Sequence, residues 1–506
     1  MLYTRRNVLA LGATAATAAL TACGTRGSTA VLPTSKAVTD RTVPTGATPD
    51  VTANFRAVPF ELDLAGTIVP TWGYDGQAPG KGLRAKAGEI VEVTLDNALP
   101  EATSIHWHGL AIVNSMDGVP GLTQADIAPA TSFTYRFAVP DAGTYWFHPH
   151  HGLQLDRGLY APFIIDDPHE PMAYDSEYVI VLDDWLDGVA GNPDDELARI
   201  RRMGLAMGAS TTTATDTGGM ANMPGMGGTS MASSPLLGGD AGDAVYPFHL
   251  INGRPLGDPL TLDPAPRAGD RVRLRIINAG GDTAYRFAIG GHRLTVTHTD
   301  GFPVKPVDVD AFVIGMGERY DVTFTVQSGA WPIVALAEGK DARAAAVLRT
   351  RDATASPTPD LTAALAEHDG EWLRYASLFA DDPVALMVPA KVRTIPVRLT
   401  GGMGASDWGF DGRPYATHRP IDVEPGEWVT LAFENTTMMW HPVHIHGHTP
   451  QLTGLSGGVR KDTAGVLPGQ TIEFTFQADN PGQWMVHCHN AYHLEVGMAT
   501  TLSYVT

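Results

Sequence analysis

The pattern His-x-His occurs four times in this 506-residue chain, and it is the clearest sign of chemistry in the sequence. Residues two apart in a β-strand face the same side, so each pair can direct two imidazoles at one point. Imidazole is a good ligand for zinc, copper, iron and nickel. We therefore predict that all four pairs bind metal. They are His106 and His108, His148 and His150, His444 and His446, and His487 and His489.

A different ligand set surrounds the last pair. Cys488 lies between the two histidines of that pair, so its side chain faces the opposite side of the strand. The chain continues as Cys488-x4-His493-x4-Met498, and His441 precedes the third pair. Two His, one Cys and a distant Met form the ligand set of a blue copper electron-transfer centre. Structural zinc sites usually take Cys and His without Met, so the sequence favours copper.

An internal repeat indicates the elements that position these residues. Each copy has Gly, an acidic residue, alternating apolar positions, and Asn nine residues after the Gly. Alternation with period two predicts a half-buried β-strand. The three copies cover residues 88–97, 269–278 and 426–435, and a second shared segment begins at Gly143, Gly329 and Gly482.

The repeat predicts three β-sandwich domains in tandem, at 48–168, 175–352 and 376–506. A helix is predicted in the middle domain from Pro193 to about Leu205. The segment 208–243 is rich in Gly, Ser, Thr and Met, which predicts a disordered loop. The 55 Gly and 37 Pro also suit a loop-rich β protein.

The four His pairs occupy matching repeat positions in the first and third domains, whereas the middle domain has apolar residues there. Eight histidines at matched positions are hard to explain as ordinary core residues. The first domain has Thr103 and Pro149 where the third has His441 and Cys488. The sequence therefore predicts the blue copper centre in the third domain only. The middle-domain residues are Phe287, Ile289, Val334 and Leu336.

Charge and cysteine content exclude several classes of protein. The chain has 35 basic and 55 acidic residues, a net charge of -20. This balance argues against nucleic acid and anionic membrane surfaces as partners. Cys23 and Cys488 are the two cysteines, so the chain is not a disulfide scaffold.

Residues 1–23 are typical of an export signal, with Arg5-Arg6 before an apolar stretch from Val8 to Leu20. The paired arginines resemble a twin-arginine signal, and residues 20–23 resemble a lipobox in which Cys23 is lipidated. An ordinary signal with an incidental Cys23 is the alternative. We predict an exported, cell-envelope protein, periplasmic or on the outer face of the cytoplasmic membrane, and attached only through that lipid. Residues 24–47 are predicted to be a flexible tether.

The segments HWHG, HPH, HPVHIHGH and HCHNAYHLEVGM resemble the four copper-binding motifs of multicopper oxidases. The resemblance covers the chain from about residue 48, in the three-domain, laccase-like order. It implies an all-β fold of three tandem cupredoxin-like Greek-key β-sandwich domains and four copper ions. The implied ligands are His441, Cys488, His493 and Met498 for type 1; His106 and His444 for type 2; and His108, His148, His150, His446, His487 and His489 for the type 3 pair.

The resemblance also implies the reaction. Cys488 receives electrons singly, and its neighbours His487 and His489 pass them to a trinuclear cluster that reduces O2 to water. Asp117 matches an acid that family members keep near the type 2 copper, although an Asp before Gly also suits a plain turn. Some copper-efflux members have Glu directly after the last type 1 His. Leu494 stands there, and Glu495 is the substitute to test.

Methionines indicate the reductant. Six lie in 203–231, including Met220, Met223 and Met226, in a polar segment without an apolar face. Thioethers select Cu(I). Met439 matches the substrate-binding Met of copper-efflux oxidases, although Thr437 replaces the Asp expected nearby. We predict cuprous oxidase activity in copper tolerance, with phenol and Fe(II) oxidation as side activities. A laccase acting mainly on phenols and a non-catalytic copper-storage protein are the alternatives.

Overall fold

Three β-sandwiches follow one another along the chain, and the predicted all-β fold is confirmed. The structure, a computed structural model, describes residues 29–211, 232–402 and 405–506. The predicted export signal and Cys23 lie outside these residues. Within the described part, no helix combines the length and the apolar character needed to cross a membrane.

The first sandwich holds two four-stranded sheets. Its strands are β1 Val51–Leu64, β2 Thr67–Tyr74, β3 Leu83–Lys86, β4 Ile90–Asn97, β5 His106–His108, β6 Ser132–Ala138, β7 Gly143–His148 and β8 Ala161–Asp166. The strand orders are β2-β1-β4-β6 and β3-β8-β7-β5. The first two His-x-His pairs therefore belong to one sheet, on β5 and at the end of β7.

The middle sandwich is the largest, with sheets of seven and five strands and a separate two-stranded ribbon. Its strands are β9 Ser176–Trp185, β10 Ser233–Ser234, β11 Gly239–Asp240, β12 Phe248–Ile251, β13 Arg254–Pro255, β14 Leu260–Thr261, β15 Arg271–Asn278, β16 Tyr285–Ile289, β17 Leu294–Thr299, β18 Phe302–Val309, β19 Ala311–Ile314, β20 Arg319–Thr325, β21 Ala330–Ala337 and β22 Arg343–Arg349. The orders are β13-β12-β9-β15-β20-β17-β18, β14-β22-β21-β16-β19 and β10-β11.

The third sandwich has two five-stranded sheets. Its strands are β23 Arg393–Gly402, β24 Ala405–Phe410, β25 Ile421–Val423, β26 Trp428–Asn435, β27 His441–Ile445, β28 Gln451–Thr453, β29 Thr463–Val466, β30 Thr471–Gln477, β31 Gln483–Cys488 and β32 Ala499–Tyr504. The orders are β24-β23-β26-β30-β28 and β25-β32-β31-β27-β29. The described α-helices are α1 Lys36–Thr39, α2 Pro193–Thr211 and α3 Ala491–Glu495, so the predicted helix continues to Thr211.

The Asn that ends each repeat copy braces the loop toward the next functional strand. Asn435 donates from Nδ2 to the carbonyls of Met439 and Val466, at 2.7 and 2.8 Å, and accepts from the Thr437 amide. Asn97 and Asn278 make the equivalent bonds in the other two domains. One amide side chain thus satisfies several buried backbone groups, which explains the repeated Asn.

The middle copy departs from the predicted alternation. Strand β15 is buried on both faces apart from its first residue. Arg273 and Arg275 occupy the face that is half-exposed in β4, and both pair with the buried Asp321. Thr144 of the first domain also donates to Asp321, at 2.7 Å. The face of β15 that carries Arg273 and Arg275 is therefore covered by the first domain and is not exposed to solvent.

Residues 29–47 do not form the predicted tether. Val31 donates to the Tyr504 carbonyl at 2.8 Å, and Thr29 and Thr506 exchange two backbone hydrogen bonds. Val38 in α1 is fully buried. The prediction was wrong because the polar composition of this segment hides two buried residues, Val31 and Val38. Val31 is bonded to the third domain, and the helix that carries Val38 contacts residues 114–116 of the first domain.

Residues 232–243 also differ from the predicted disordered loop. They form β10, a short 3-10 turn and β11, with Leu237 and Ala241 buried against Trp440 of the third domain. Asp240 pairs with Met439 in an isolated β-bridge. This part of the segment is therefore an interdomain contact. Met220, Met223 and Met226 lie outside the described residues.

Replacing Val38 with Ala should destabilise the protein by about 2 kcal/mol, since two fully buried methyl groups are lost. Thermal unfolding of the mature protein measures the change. Val245→Ala is the matched control, because Val245 is 70% exposed and its replacement should leave the unfolding temperature unchanged. Equal unfolding temperatures for the two variants would restore the tether interpretation.

Candidate metal centres

Strand pairing brings the His-x-His pairs together in two steps. Within the first domain, His106 lies opposite His148 on β5 and β7. Within the third domain, His444 lies opposite His487 on β27 and β31. The two domains then meet, and rings stack across the boundary. The stacked pairs are His106 with His446, at 3.7 Å between ring centroids, and His108 with His444, at 3.8 Å.

One nitrogen of most of these rings is held by a nearby oxygen. The carbonyls of Asp117, Pro149, Asp462 and Cys488 accept from Nδ1 of one histidine each, at 2.8–3.0 Å. Such bonds set the ring orientation and tautomer. The histidines are His106, His148, His444 and His487, in the same order.

Nε2 of His446 and Nε2 of His487 lie 3.1 Å from each other. In each of the other six rings, at least one nitrogen faces the common centre. Among the described residues these buried atoms have no hydrogen-bond partner. A buried imidazole nitrogen without a partner is costly unless it binds something. The atoms are Nε2 of His106, His148, His150 and His444, Nδ1 of His108, and both nitrogens of His489. This donor set fits a metal cluster held by imidazole.

The eight rings divide into overlapping triads. In each triad the candidate ligand atoms lie within 4.8 Å of one another. The triads are His106, His150 and His446; His106, His108 and His444; His108, His148 and His489; and His444, His446 and His487. Neighbouring triads share histidines, so ions bound in them would lie close together in one cavity, as in a compact cluster of several ions.

Burial lowers the pKa of several of these imidazoles, and repulsion from neighbouring rings adds to the effect. They are therefore neutral near pH 7, which is the form that binds metal. The rings so affected include His148, His150, His446, His487 and His489.

Asp117 lies at the boundary of the two domains and is 1% exposed. Its carbonyl accepts from His106, and its Oδ2 accepts from Nδ1 of His446 at 3.0 Å. The residue therefore does more than form the turn before Gly118. It is the carboxylate that contacts one histidine from each domain at this end of the cluster.

His441, Cys488 and His493 form a second centre on the opposite face of β31. The Cys488 sulfur lies 3.6 Å from Nδ1 of His441 and 3.5 Å from Nδ1 of His493, and the two nitrogens are 3.1 Å apart. All three residues are buried. Three atoms converging at these distances can hold one ion. The alternation of β31 thus separates the two centres while Cys488 links them covalently.

Met498 is fully buried beside this second centre. Its carbonyl accepts from the Cys488 amide at 3.0 Å, and its amide donates to the His493 carbonyl at 2.9 Å. In the first domain the matching place has no such ligands. There Thr103 donates to Oε1 of Gln154 at 2.7 Å. The first domain thus has a hydrogen bond between two neutral side chains where the third domain has imidazoles and a thiol.

Three side chains surround the imidazoles of the second centre. Thr437 is 2.8 Å from Nε2 of His441, and Asp243 accepts from Nε2 of His493 at 3.0 Å. Trp408 stacks on His493 at 4.7 Å. Burial alone lowers the pKa of His493, but the charges of Cys488 and Asp243 outweigh it and raise that pKa to about 10. The same two charges favour a metal cation.

Met439 is not placed to meet a solvent-borne substrate. It is 2% exposed and packs in the core of the third domain, whereas Met438 is 83% exposed. The prediction at Met439 is therefore wrong with respect to access. Met438, three residues before His441 in the chain, is the exposed methionine of this segment.

A cavity of about 390 Å³ reaches the histidine cluster from the side of α3. His148, His150, His487 and His489 line it together with Glu495 and Leu494. Burial raises the pKa of Glu495. The cavity gives small molecules a route to the cluster.

The sequence did not indicate Asp243 or Asp462. Asp243 lies in the segment predicted to be disordered, and it reaches His493 from the middle domain. Asp462 lies 3.1 Å from Nε2 of His108, which is 354 positions away in the chain. Neither residue belongs to a local motif, so no spacing signal could have identified it.

Family models described as multicopper oxidase match residues 61–170, 176–353 and 388–505. The fold is similar to the crystal structure of laccase from Botrytis aclada, with a TM-score of 0.72 and 26% identity. That alignment covers 92% of this chain and 89% of the laccase.

Similar proteins of known name support the same family assignment. The chain is 45% identical to multicopper oxidase MmcO of Mycobacterium tuberculosis over 96% of this chain and 92% of the relative. It is 29% identical to copper resistance protein A of Escherichia coli, over 88% and 93% of the two chains. Together with the three matched domains, these similarities show that the chain belongs to the three-domain multicopper oxidases, which are copper-dependent oxidoreductases.

Proposed function

We propose that the protein oxidises Cu(I) and reduces O2 to water with four copper ions. The observation that supports this most strongly is the ring of eight imidazoles between two domains, most with one nitrogen anchored and the other directed inward. Type 2 copper is assigned to His106 and His444. The type 3 pair is assigned to His108, His148, His150, His446, His487 and His489.

Type 1 copper is assigned to His441, Cys488, His493 and Met498. A copper ion supplies one-electron chemistry at this place. Cys488 is bonded through the main chain to His487 and His489, which face the cluster. This part of the chain therefore provides a short covalent path between the two centres. Burial of Cys488 keeps water away from the path.

Asp117 is proposed to hold and deliver a proton. Its carboxylate contacts His446 and its carbonyl contacts His106, so it lies beside the O2-reducing cluster. O2 reduction to water consumes protons, and a positioned carboxylate can supply them. The side chain is buried, so such a proton would pass within the protein.

The proposed reductant is Cu(I), with phenols and Fe(II) as lesser substrates. Two observations support it: six methionines lie within 203–231, and Met438, three residues before His441 in the chain, is exposed. A relative named copper resistance protein A points to the same use. The burial of Met439 favours the second candidate, a laccase acting mainly on phenols.

The proposed location is outside the cytoplasm, in the cell envelope. The support is the sequence of residues 1–23, with paired arginines and an apolar stretch. Lipidation at Cys23 is proposed as the means of attachment.

Replacing Cys488 with Ser should remove the blue colour and reduce the copper content from four ions to three. Electron entry should stop, so oxidation of every reductant should be lost while the fold is kept. Absorption spectra, copper analysis and O2 uptake measure these effects. Cys23→Ser, at the other cysteine, is the control and should keep both colour and turnover. Turnover by Cys488→Ser would refute the assigned electron path.

Replacing Met220, Met223 and Met226 with Ser should lower kcat/KM for Cu(I) by roughly tenfold, or ~1.4 kcal/mol of thioether binding. Phenol oxidation should be unchanged. Substitution is preferred to deletion of 208–243, because Leu237 and Asp243 make domain contacts.

Steady-state rates for Cu(I), Fe(II) and a phenol on the fully metallated enzyme provide the measurement. Met387→Ser is the control, since Met387 is 92% exposed and lies outside the Met-rich segment. Unchanged Cu(I) rates in the triple variant would favour the laccase alternative.

A further inference from the structure

The middle domain holds none of the ligands proposed for the four resident copper ions, yet one of its arginines is connected to the cluster. We propose that Arg319 is a positioning residue that orients His108 through Asp462. The three residues come from the middle, first and third domains respectively. The inference rests on the proposed trinuclear cluster and adds a role for the domain without copper.

Asp462 contacts a histidine from each outer domain. Its Oδ1 accepts from Nε2 of His108 at 3.1 Å. Its main-chain carbonyl accepts from Nδ1 of His444 at 3.0 Å. With its Nε2 proton donated to Asp462, His108 has a lone pair on Nδ1, and Nδ1 is the unpartnered atom that faces the cluster.

Arg319 fixes this carboxylate in two directions. Nη1 and Nη2 donate to Oδ1 and Oδ2 of Asp462 at 2.8 and 2.7 Å, a bidentate pair. Nε donates to the Thr144 carbonyl of the first domain at 3.1 Å, and Nη1 also donates to the Gly317 carbonyl at 3.0 Å. One guanidinium therefore contacts all three domains. It is fully buried.

The backbone of Asp462 is held by the middle domain as well. Oδ2 of Asp300 accepts from the amides of Asp462 and Thr463, at 3.2 and 3.1 Å. Lys461 donates to Thr299 at 2.8 Å. The segment 461–463 is therefore fixed by main-chain and side-chain bonds, which leaves Asp462 little freedom to move away from His108.

Two glycines show how closely these groups pack. A Cβ at Gly109, which follows His108, would lie 2.7 Å from Oδ2 of Asp462 and closer still to Arg319. A Cβ at Gly317 would lie 2.9 Å from His489 and 3.1 Å from His108. Both glycines have positive φ, +87° and +83°. The middle-domain turn therefore packs directly on two rings assigned to the type 3 pair.

Lysine at position 319 keeps the charge but cannot form the bidentate pair or reach both neighbouring carbonyls. Thr463 still donates to Oδ1 of Asp462 at 2.8 Å, but Arg319→Lys should remove the bidentate pair and so leave the Asp462 carboxylate and His108 less firmly oriented. Loss of such an outer partner typically weakens metal binding 10–100-fold. We expect copper at the type 3 pair to be lost about that much more readily to a chelator.

The experiment compares wild-type, Arg319→Lys and Arg273→Lys proteins loaded with copper. Arg273 is the matched control. It is also a buried arginine of the middle domain, but it pairs with Asp321 and Glu170, not with a residue that contacts the histidine cluster. Copper retention during chelator titration and the near-ultraviolet absorption of the oxidised type 3 pair are measured. The blue absorption of type 1 copper serves as the internal reference.

The inference is supported if Arg319→Lys loses type 3 copper 10–100-fold more readily while its blue absorption and the Arg273→Lys protein stay normal. It is overturned if Arg319→Lys retains copper like wild type. Equal copper loss in both variants also overturns it, because the effect would then be general destabilisation.

Asp462→Asn is the second variant, should Arg319→Lys fail to fold. It is nearly isosteric, and its amide group turns a donor toward Arg319 or His108. The same selective loss of type 3 copper is expected, and normal retention overturns the inference. Wild-type protein with fewer than four copper ions would instead refute the proposed function, and this inference with it.

Discussion

Burial of eight imidazole rings between two β-sandwiches is the constraint on which the structure depends. Each ring carries two polar nitrogens, and a buried nitrogen without a partner costs about 1–3 kcal/mol. The fold anchors one nitrogen of most rings on a carbonyl or carboxylate and directs the other inward. Metal binding gives the second nitrogen a partner and so removes the free-energy cost of burying it. Folding and metal binding therefore stabilise each other.

The strand geometry explains how two centres share one segment. Alternation along β31 sends His487 to the cluster and Cys488 to the opposite face, and His489 continues the pattern. The pairing of β31 with β27 aligns His444 with His487. A one-residue slip in this register would exchange the faces and destroy both centres. The hydrogen bonds of Asn435 hold the loop that leads into β27 and so help to maintain this register.

Sequence reasoning predicts those features that repeat along the chain. The sandwich class and the His-x-His positions follow from period-two alternation and from matching three copies. Asp243, Asp462 and Arg319 follow from no such pattern, because their partners are distant in the chain and in other domains. The ordered residues 29–47 were missed for a related reason. Two buried valines in a polar segment, Val31 and Val38, give too little periodicity to reveal packing on the outer domains.

The central claim is that the boundary between the first and third domains holds three copper ions and that Cys488 holds a fourth. Crystals of the copper-loaded protein, measured at the copper absorption edge, test this most directly. Three anomalous peaks are expected among the eight histidines, and one is expected between His441, Cys488 and His493. A peak beside Cys488 with none among the eight histidines would contradict it.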